Sequence, residues 1–162
     1  MVFKTRAEYL AMGLPIILRA NRALQDEPRY RFTLDPPCYV EPFPARYPEQ
    51  EALFCKLVAE GRLQLVCGMD SMADVNIPSG ESFVCQVLEC KGFYRFRLGA
   101  EVTAGWALDT FGMHPQMPQL LRQSGFDSLF MARGVPATQA KSEFMWQRIE
   151  GSQVLFLWLP YS

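Results

Sequence analysis

A chain of 162 residues can bury a sizeable core and suits one domain or part of a larger one. Apolar residues make up 49% and charged residues 20%, the balance of an ordinary soluble globular protein. Sixteen basic side chains face seventeen acidic ones, which excludes the electrostatic footprint of a nucleic-acid binder or of a protein held on an anionic membrane.

The N-terminus carries Lys4, Arg6 and Glu8 without the apolar run of a signal peptide. The apolar segment Leu10–Leu18 is too short to span a bilayer. Cys38, Cys55, Cys67, Cys85 and Cys90 are an odd set with no export signal, so free thiols and a cytoplasmic location are expected. Cys85 and Cys90 point in different directions on a predicted helix, and His114 is the single histidine, so no self-contained zinc site built on thiols is expected.

Thr5–Leu24 reads as a helix, with Thr5 and Glu8 spaced as a capping box. Tyr9, Met12, Ile16, Ile17 and Ala20 keep its stripe, against Gly13 and Pro15. Tyr30–Leu34 reads as a strand closed by Asp35, and the Pro-rich stretch to Pro48 as a loop. Pro48–Gly61 reads as a helix with Leu53 and Leu57 inward. Leu63–Met69 reads as a strand covered on both faces. A polar loop follows, with Asp70, Ser71, Asp74 and Asn76. Ser79 then caps a helix over Gly80–Arg97. Ala104–Leu108 reads as a strand, His114–Ser124 as a short helix stopped by Gly125, Ser128–Met131 as a strand and Val154–Leu159 as the last one. Ser142–Arg148 is assigned to neither class. The β-then-α alternation, recurring about every 35 residues, predicts an α/β fold with parallel strands and right-handed crossovers, and leaves open sheet and barrel arc undistinguished.

Asp109 stands at the carboxyl end of the strand Ala104–Leu108. Ligands bind at that end in sheets built from β/α units, and a carboxylate there either caps the next helix or serves a ligand.

The stretch GWALDTFGMHPQMPQLL resembles the nucleophile segment of the α-mannosidases of glycoside hydrolase family 38. YRFTLD, EGRLQLVCGM, ADVNIPSGES, FMARGVP and SEFMWQRIEGSQVLFLWLP resemble further blocks of that family's N-terminal catalytic domain, in the same order, and together cover almost the whole chain. The resemblance implies that residues 1–162 form an arc of a distorted β/α barrel, a partial catalytic domain. It also implies a zinc-dependent retaining α-mannosidase acting on α-mannoside oligosaccharides, with no nucleic acid and no membrane as partner. Asp109 would be both nucleophile and zinc ligand. Phe111 would line the sugar pocket, and Arg133 would keep the carboxylate charged and contact sugar hydroxyls. Asp74 and Asn76 match a stretch that shapes a loop beside the site.

The family holds its metal with two aspartates and two histidines, of which Asp109 alone has a match here. The His-x-Asp pair would precede Phe3–Tyr9, and the second His and the acid carboxyl would follow Ser162, so a longer reading frame is expected. His114 is expected to be a cap or hydrogen-bonded surface residue rather than a ligand. Met113 replaces the family's usual His or Tyr, and Pro36 and Pro37 depart from its pattern after Asp35. Phe144, Trp146, Phe156 and Trp158 are expected in the core. The alternative is a non-catalytic relative that binds carbohydrate or a partner. Uncovered strand edges would favour association, a homo-oligomer among its forms. A deacetylase-like barrel is disfavoured, because it would use further histidines.

Overall fold

The computed structural model describes residues 4–35, 37–69, 74–133 and 141–159. Helix α1 spans Arg6–Asp26 and begins with the predicted reciprocal cap. Glu8 N–H donates to Thr5 Oγ1 at 3.3 Å, and Thr5 N–H donates to Glu8 Oε2 at 2.7 Å. The helix runs on through Gly13 and Pro15, and a Cβ on Gly13 would lie 2.6 Å from the Tyr39 ring. Leu14, Ile17, Ala20 and Leu24 are buried. Tyr9, Met12 and Ile16, assigned by periodicity to the buried stripe, are instead exposed. They line an open groove of about 330 Å³ with Phe32, Thr33 and Tyr39.

Strand β1 covers Phe32–Leu34. The Pro-rich stretch expected to be a loop forms helices α2, Pro37–Val40, and α3, Pro42–Arg46, and a 3-10 turn, Pro48–Gln50. Each begins at a proline, whose fixed φ suits the first helical position, and burial of Val40 and Phe43 anchors the stretch. Helix α4, Glu51–Ala59, buries Phe54 and Leu57 and leads to strand β2, Leu63–Leu65. The strand is shorter than expected and Gln64 is exposed, because Cys67 (φ +79°) and Gly68 (φ +72°) turn the chain out of the ladder.

Helix α5, Gly80–Leu98, starts at Ser79, whose hydroxyl accepts the Ser82 N–H, and stops at left-handed Gly99. Strand β3, Ala104–Ala107, helix α6, Met117–Gln123, and strand β4, Ser128–Met131, follow in order. The residues expected to open α6 at His114 form a turn, since Pro115 and Pro118 carry no N–H for the helix ladder. Strands β5, Glu143–Gln147, and β6, Gln153–Trp158, close the described chain as a hairpin, which settles the unassigned segment.

β1 and β2 pair in parallel, as do β3 with β4 and β4 with β6. β5 is the exception to the parallel expectation: it runs antiparallel to β6 at the outer edge. A backbone bond from Cys67 N–H to Ala104 O, 3.2 Å, joins the two ladders. The strands therefore follow one another as β1-β2-β3-β4-β6-β5 in an open arc. Leu34, Leu65, Ala107, Leu129 and Met131 from the strands meet Leu24, Leu57, Val87, Tyr94 and Leu121 from the helices in one core. Each fully buried leucine contributes about 1.5–3 kcal/mol. Of the four aromatics expected in the core, Phe156 alone is buried; Phe144, Trp146 and Trp158 are half-buried at its margin, with the first two rings 4.6 and 5.6 Å from that of Phe156. The five cysteines form no disulfide. No helix among the described residues is long and apolar enough to cross a membrane.

Candidate active site at the carboxyl rim

Parallel pairing puts the carboxyl ends of β1, β2, β3, β4 and β6 on one rim, where the chain presents Asp35, Cys67, Asp109 and Arg133. The β3–β4 register sets Ala107 against Met131. Two residues further along each strand, the same offset sets Asp109 beside Arg133. Arg133 Nε donates to Asp109 Oδ1, with 45% and 61% of the two side chains exposed. An ion pair this exposed stabilises a fold by at most about 1 kcal/mol, so stability alone does not account for it. The Arg133 guanidinium carbon lies 5.2 Å from the centroid of the Phe111 ring, which is 69% exposed. An exposed aromatic face beside a charged pair suits a polyhydroxyl ligand, whose C–H face stacks while its hydroxyls bond the charges.

The turn that presents these groups is fixed from beneath. Thr110 is buried, and its hydroxyl donates to Ala107 O at 3.1 Å, so its neighbours Asp109 and Phe111 face outward. Gly112 has φ +94°, and a Cβ there would sit 3.3 Å from the Asn76 amide nitrogen. Asn76 therefore abuts this turn, and its N–H donates to Asp74 Oδ1 at 3.2 Å. The expected loop-shaping pair is thus next to the site. Asp70, Ser71 and Gly134 lie outside the described residues.

His114 Nδ1 accepts the Gln116 N–H at 3.1 Å, which makes it a local turn residue, as expected. Met113 packs against the core edge. The Trp158 indole donates to Ala132 O at 3.1 Å and braces the strand end that carries Arg133.

Sequence reasoning treated Asp35 as the end of a strand and no more. It is a second rim carboxylate, half-buried, with Oδ1 buried and unpartnered among the described residues. Burial pushes its carboxyl up from 3.8 to about 6, against the opposing hydrogen bond from the Cys67 thiol. The rule that singled out Asp109, an acid at a strand's carboxyl end, applies equally to Asp35 and could have found it. Folded protein holds this proton to higher pH than unfolded protein does. Stability therefore falls as pH rises from about 4 to about 6, by roughly 2–3 kcal/mol, and the loss is complete above that window. Asp35→Asn should remove this slope and be more stable than the parent at pH 7–8. Urea titrations at pH 4, 5, 6 and 7.5 check it, and an unchanged slope would refute the assignment.

The sequence model of the glycosyl hydrolases family 38 N-terminal domain matches residues 3–162. Alpha-mannosidase G of Dictyostelium discoideum is 30% identical over 131 residues, which are 79% of this chain and 12% of that protein. Alpha-mannosidase 2 of Drosophila melanogaster is 30% identical over 151 residues, 87% of this chain and 14% of that protein. This chain thus spans about one-eighth of the length of such relatives. The crystal structure of an alpha-mannosidase from Enterococcus faecalis V583 superposes with a TM-score of 0.84 at 22% identity, over 94% of this chain and 18% of that one. A 4-alpha-glucanotransferase from Thermococcus litoralis shares the fold at a TM-score of 0.70 and 16% identity, over 86% of this chain and 23% of that one. The fold by itself therefore does not fix the reaction. The match along nearly the entire sequence does fix the family: the chain belongs to the glycosyl hydrolases of family 38, in their N-terminal domain.

Proposed function

We propose that this chain carries the nucleophile side of a retaining α-mannosidase site, with Asp109 as nucleophile and Arg133 and Phe111 as sugar contacts. The observation that carries the reading is the exposed Asp109–Arg133 pair beside the Phe111 ring, at the rim where β/α sheets bind ligands. In this reading Asp109 attacks the anomeric carbon of a terminal α-mannoside, and the glycosidic oxygen leaves with a proton from a second carboxyl group. Water then cleaves the glycosyl ester. Arg133 fixes the orientation of the attacking carboxylate, and Phe111 stacks on the sugar ring.

The second carboxyl is not Asp35. Adjacent strands lie about 4.8 Å apart, so two strand steps place Asp35 on the order of 10 Å from Asp109, against roughly 5–5.5 Å for a retaining pair. The family resemblance, and not this distance, is what puts the acid on a segment beyond these residues, and on that ground we read the domain as incomplete within 162 residues.

Zinc dependence is the family trait that these residues do not fit on their own. Asp109 offers one oxygen donor, and among the described residues no group of three or more His, Cys, Asp or Glu could hold a metal ion. Further ligands would have to come from elsewhere. Purified as these 162 residues, the chain should retain well under one zinc per molecule in elemental analysis after dialysis. One tightly held zinc per chain would contradict this reading. The same observation favours, for the isolated chain, the second reading of a sugar-binding or partner-binding protein without hydrolysis. Hydrolysis of an aryl α-mannoside that depends on Asp109 tests the enzymatic reading.

A further inference from the structure

We propose that Trp158 is the positioning residue for Arg133, and through it for the carboxylate of Asp109. This role rests on the reading of Asp109 as nucleophile and Arg133 as its partner. Strands β4 and β6 pair in parallel, with Met131 opposite Trp158 at the end of the ladder. The last backbone bond between them runs from Leu159 N–H to Met131 O, 2.8 Å. One residue further along β4, Ala132 O accepts the Trp158 indole N–H at 3.1 Å. Successive carbonyls of a regular strand point to opposite sides. Met131 O and Ala132 O are both held from β6, so β4 leaves the sheet here with its exit pinned at two points.

The second of these bonds is the one that bears on the site. Ala132 C=O and Arg133 N–H belong to one planar peptide unit, which also contains the Arg133 Cα. A bond that fixes Ala132 O therefore fixes the plane from which the arginine departs, and φ of Arg133 alone then steers its Cβ. From that root the guanidinium reaches back toward β3. Its Nε donates to Asp109 Oδ1, and its central carbon lies 5.2 Å from the centroid of the Phe111 ring. Nearly half of the Arg133 side chain is exposed, so packing restrains it less than it would a core residue. Ala132 is buried, and its carbonyl would shift toward another donor if the indole were lost. The ladder itself does not need this bond, because β4 and β6 are already paired from Ser128 to Met131.

The test uses the protein made from the complete reading frame, with Trp158→Phe, which removes the N–H and keeps an aromatic ring. A second variant carries benzothienylalanine at position 158, in which sulfur replaces the indole N–H at nearly constant shape. Circular dichroism and melting curves establish that each is folded. In crystal structures, Arg133 should sit on Asp109 in the parent protein and leave it in both variants. With an aryl α-mannoside, kcat should fall about tenfold with little change in KM, the pattern of a misdirected group and not of lost binding. In an Arg133→Ala background the same replacements should lower kcat no further, because the group they position is gone. A purely structural role for Trp158 would give the same loss in both backgrounds. That outcome, or Arg133 unmoved in the folded variants, would overturn the proposal. A parent protein that hydrolyses no mannoside would instead contradict the function proposed above, and the crystal structures would still decide whether Trp158 places Arg133.

Discussion

Gly68→Ala should destabilise the fold by about 2–5 kcal/mol, a large part of a typical domain's stability of about 5–15 kcal/mol. Two independent costs add at this position. Gly68 has φ +72°, a left-handed conformation that costs an L-residue with a Cβ about 1–2 kcal/mol. The new Cβ would also lie 2.3 Å from Cζ of Phe126. Phe126 is 1% exposed and has the Lys91 ammonium 4.5 Å from its ring centroid, so the ring has no room to retreat. Overpacking of this kind adds roughly 1–3 kcal/mol. Gly61→Ala is the internal control. Its φ is +65° but nothing lies within 4 Å of its Cβ, so it should cost only the backbone part, about 1 kcal/mol. Denaturant midpoints of the two variants measure the difference. Equal losses would mean that the Phe126 ring does not confine position 68.

The same glycine shows where the sequence ran short. LQLVCGM reads as one continuous apolar strand, because burial and strand periodicity coincide there. The ring that a side chain at position 68 would meet, Phe126, lies 58 positions later in the chain (126 minus 68), and no local pattern reports it. The Pro-rich stretch after Asp35 was misjudged for a related reason. Proline ends helices more visibly than it begins them, and what anchors Pro37–Arg46 is the burial of Val40 and Phe43 against distant partners. Tyr9, Met12 and Ile16 kept a helical spacing that the fold leaves exposed, since periodicity says which residues share a face and not whether that face is covered. By contrast, the Thr5–Glu8 cap, the Ser79 cap and the Gly125 stop were legible because each is a local bond or a local φ.

The site divides in the same way. Asp109 was legible from an acid at the end of an apolar strand. The proximity of Arg133 and Phe111 came from the family resemblance, and the structure supplies its physical basis: a parallel register that carries Asp109 to Arg133, and a buried Thr110 that turns its two neighbours outward. Asp35 escaped because the resemblance gave it no role, although the strand-end argument covers it as well.

Asp109→Asn carries the other large expected effect. The substitution keeps the shape of the side chain and removes the charge that would attack the anomeric carbon. Loss of a nucleophile costs roughly three orders of magnitude in turnover or more, equivalent to about 4 kcal/mol of transition-state stabilisation. Because the Asp109–Arg133 pair is largely exposed, the same change should shift the unfolding midpoint very little. Arg133→Ala should lower turnover less, since in the proposed reading Arg133 would orient the carboxylate without forming the bond.

The most direct measurement is hydrolysis of an aryl α-mannoside by the protein made from the complete reading frame that contains these residues, with and without Asp109→Asn. The expected result is hydrolysis by the parent protein and its loss in a variant that melts at the same temperature. Hydrolysis undiminished in the variant, or none by the parent protein, would contradict it.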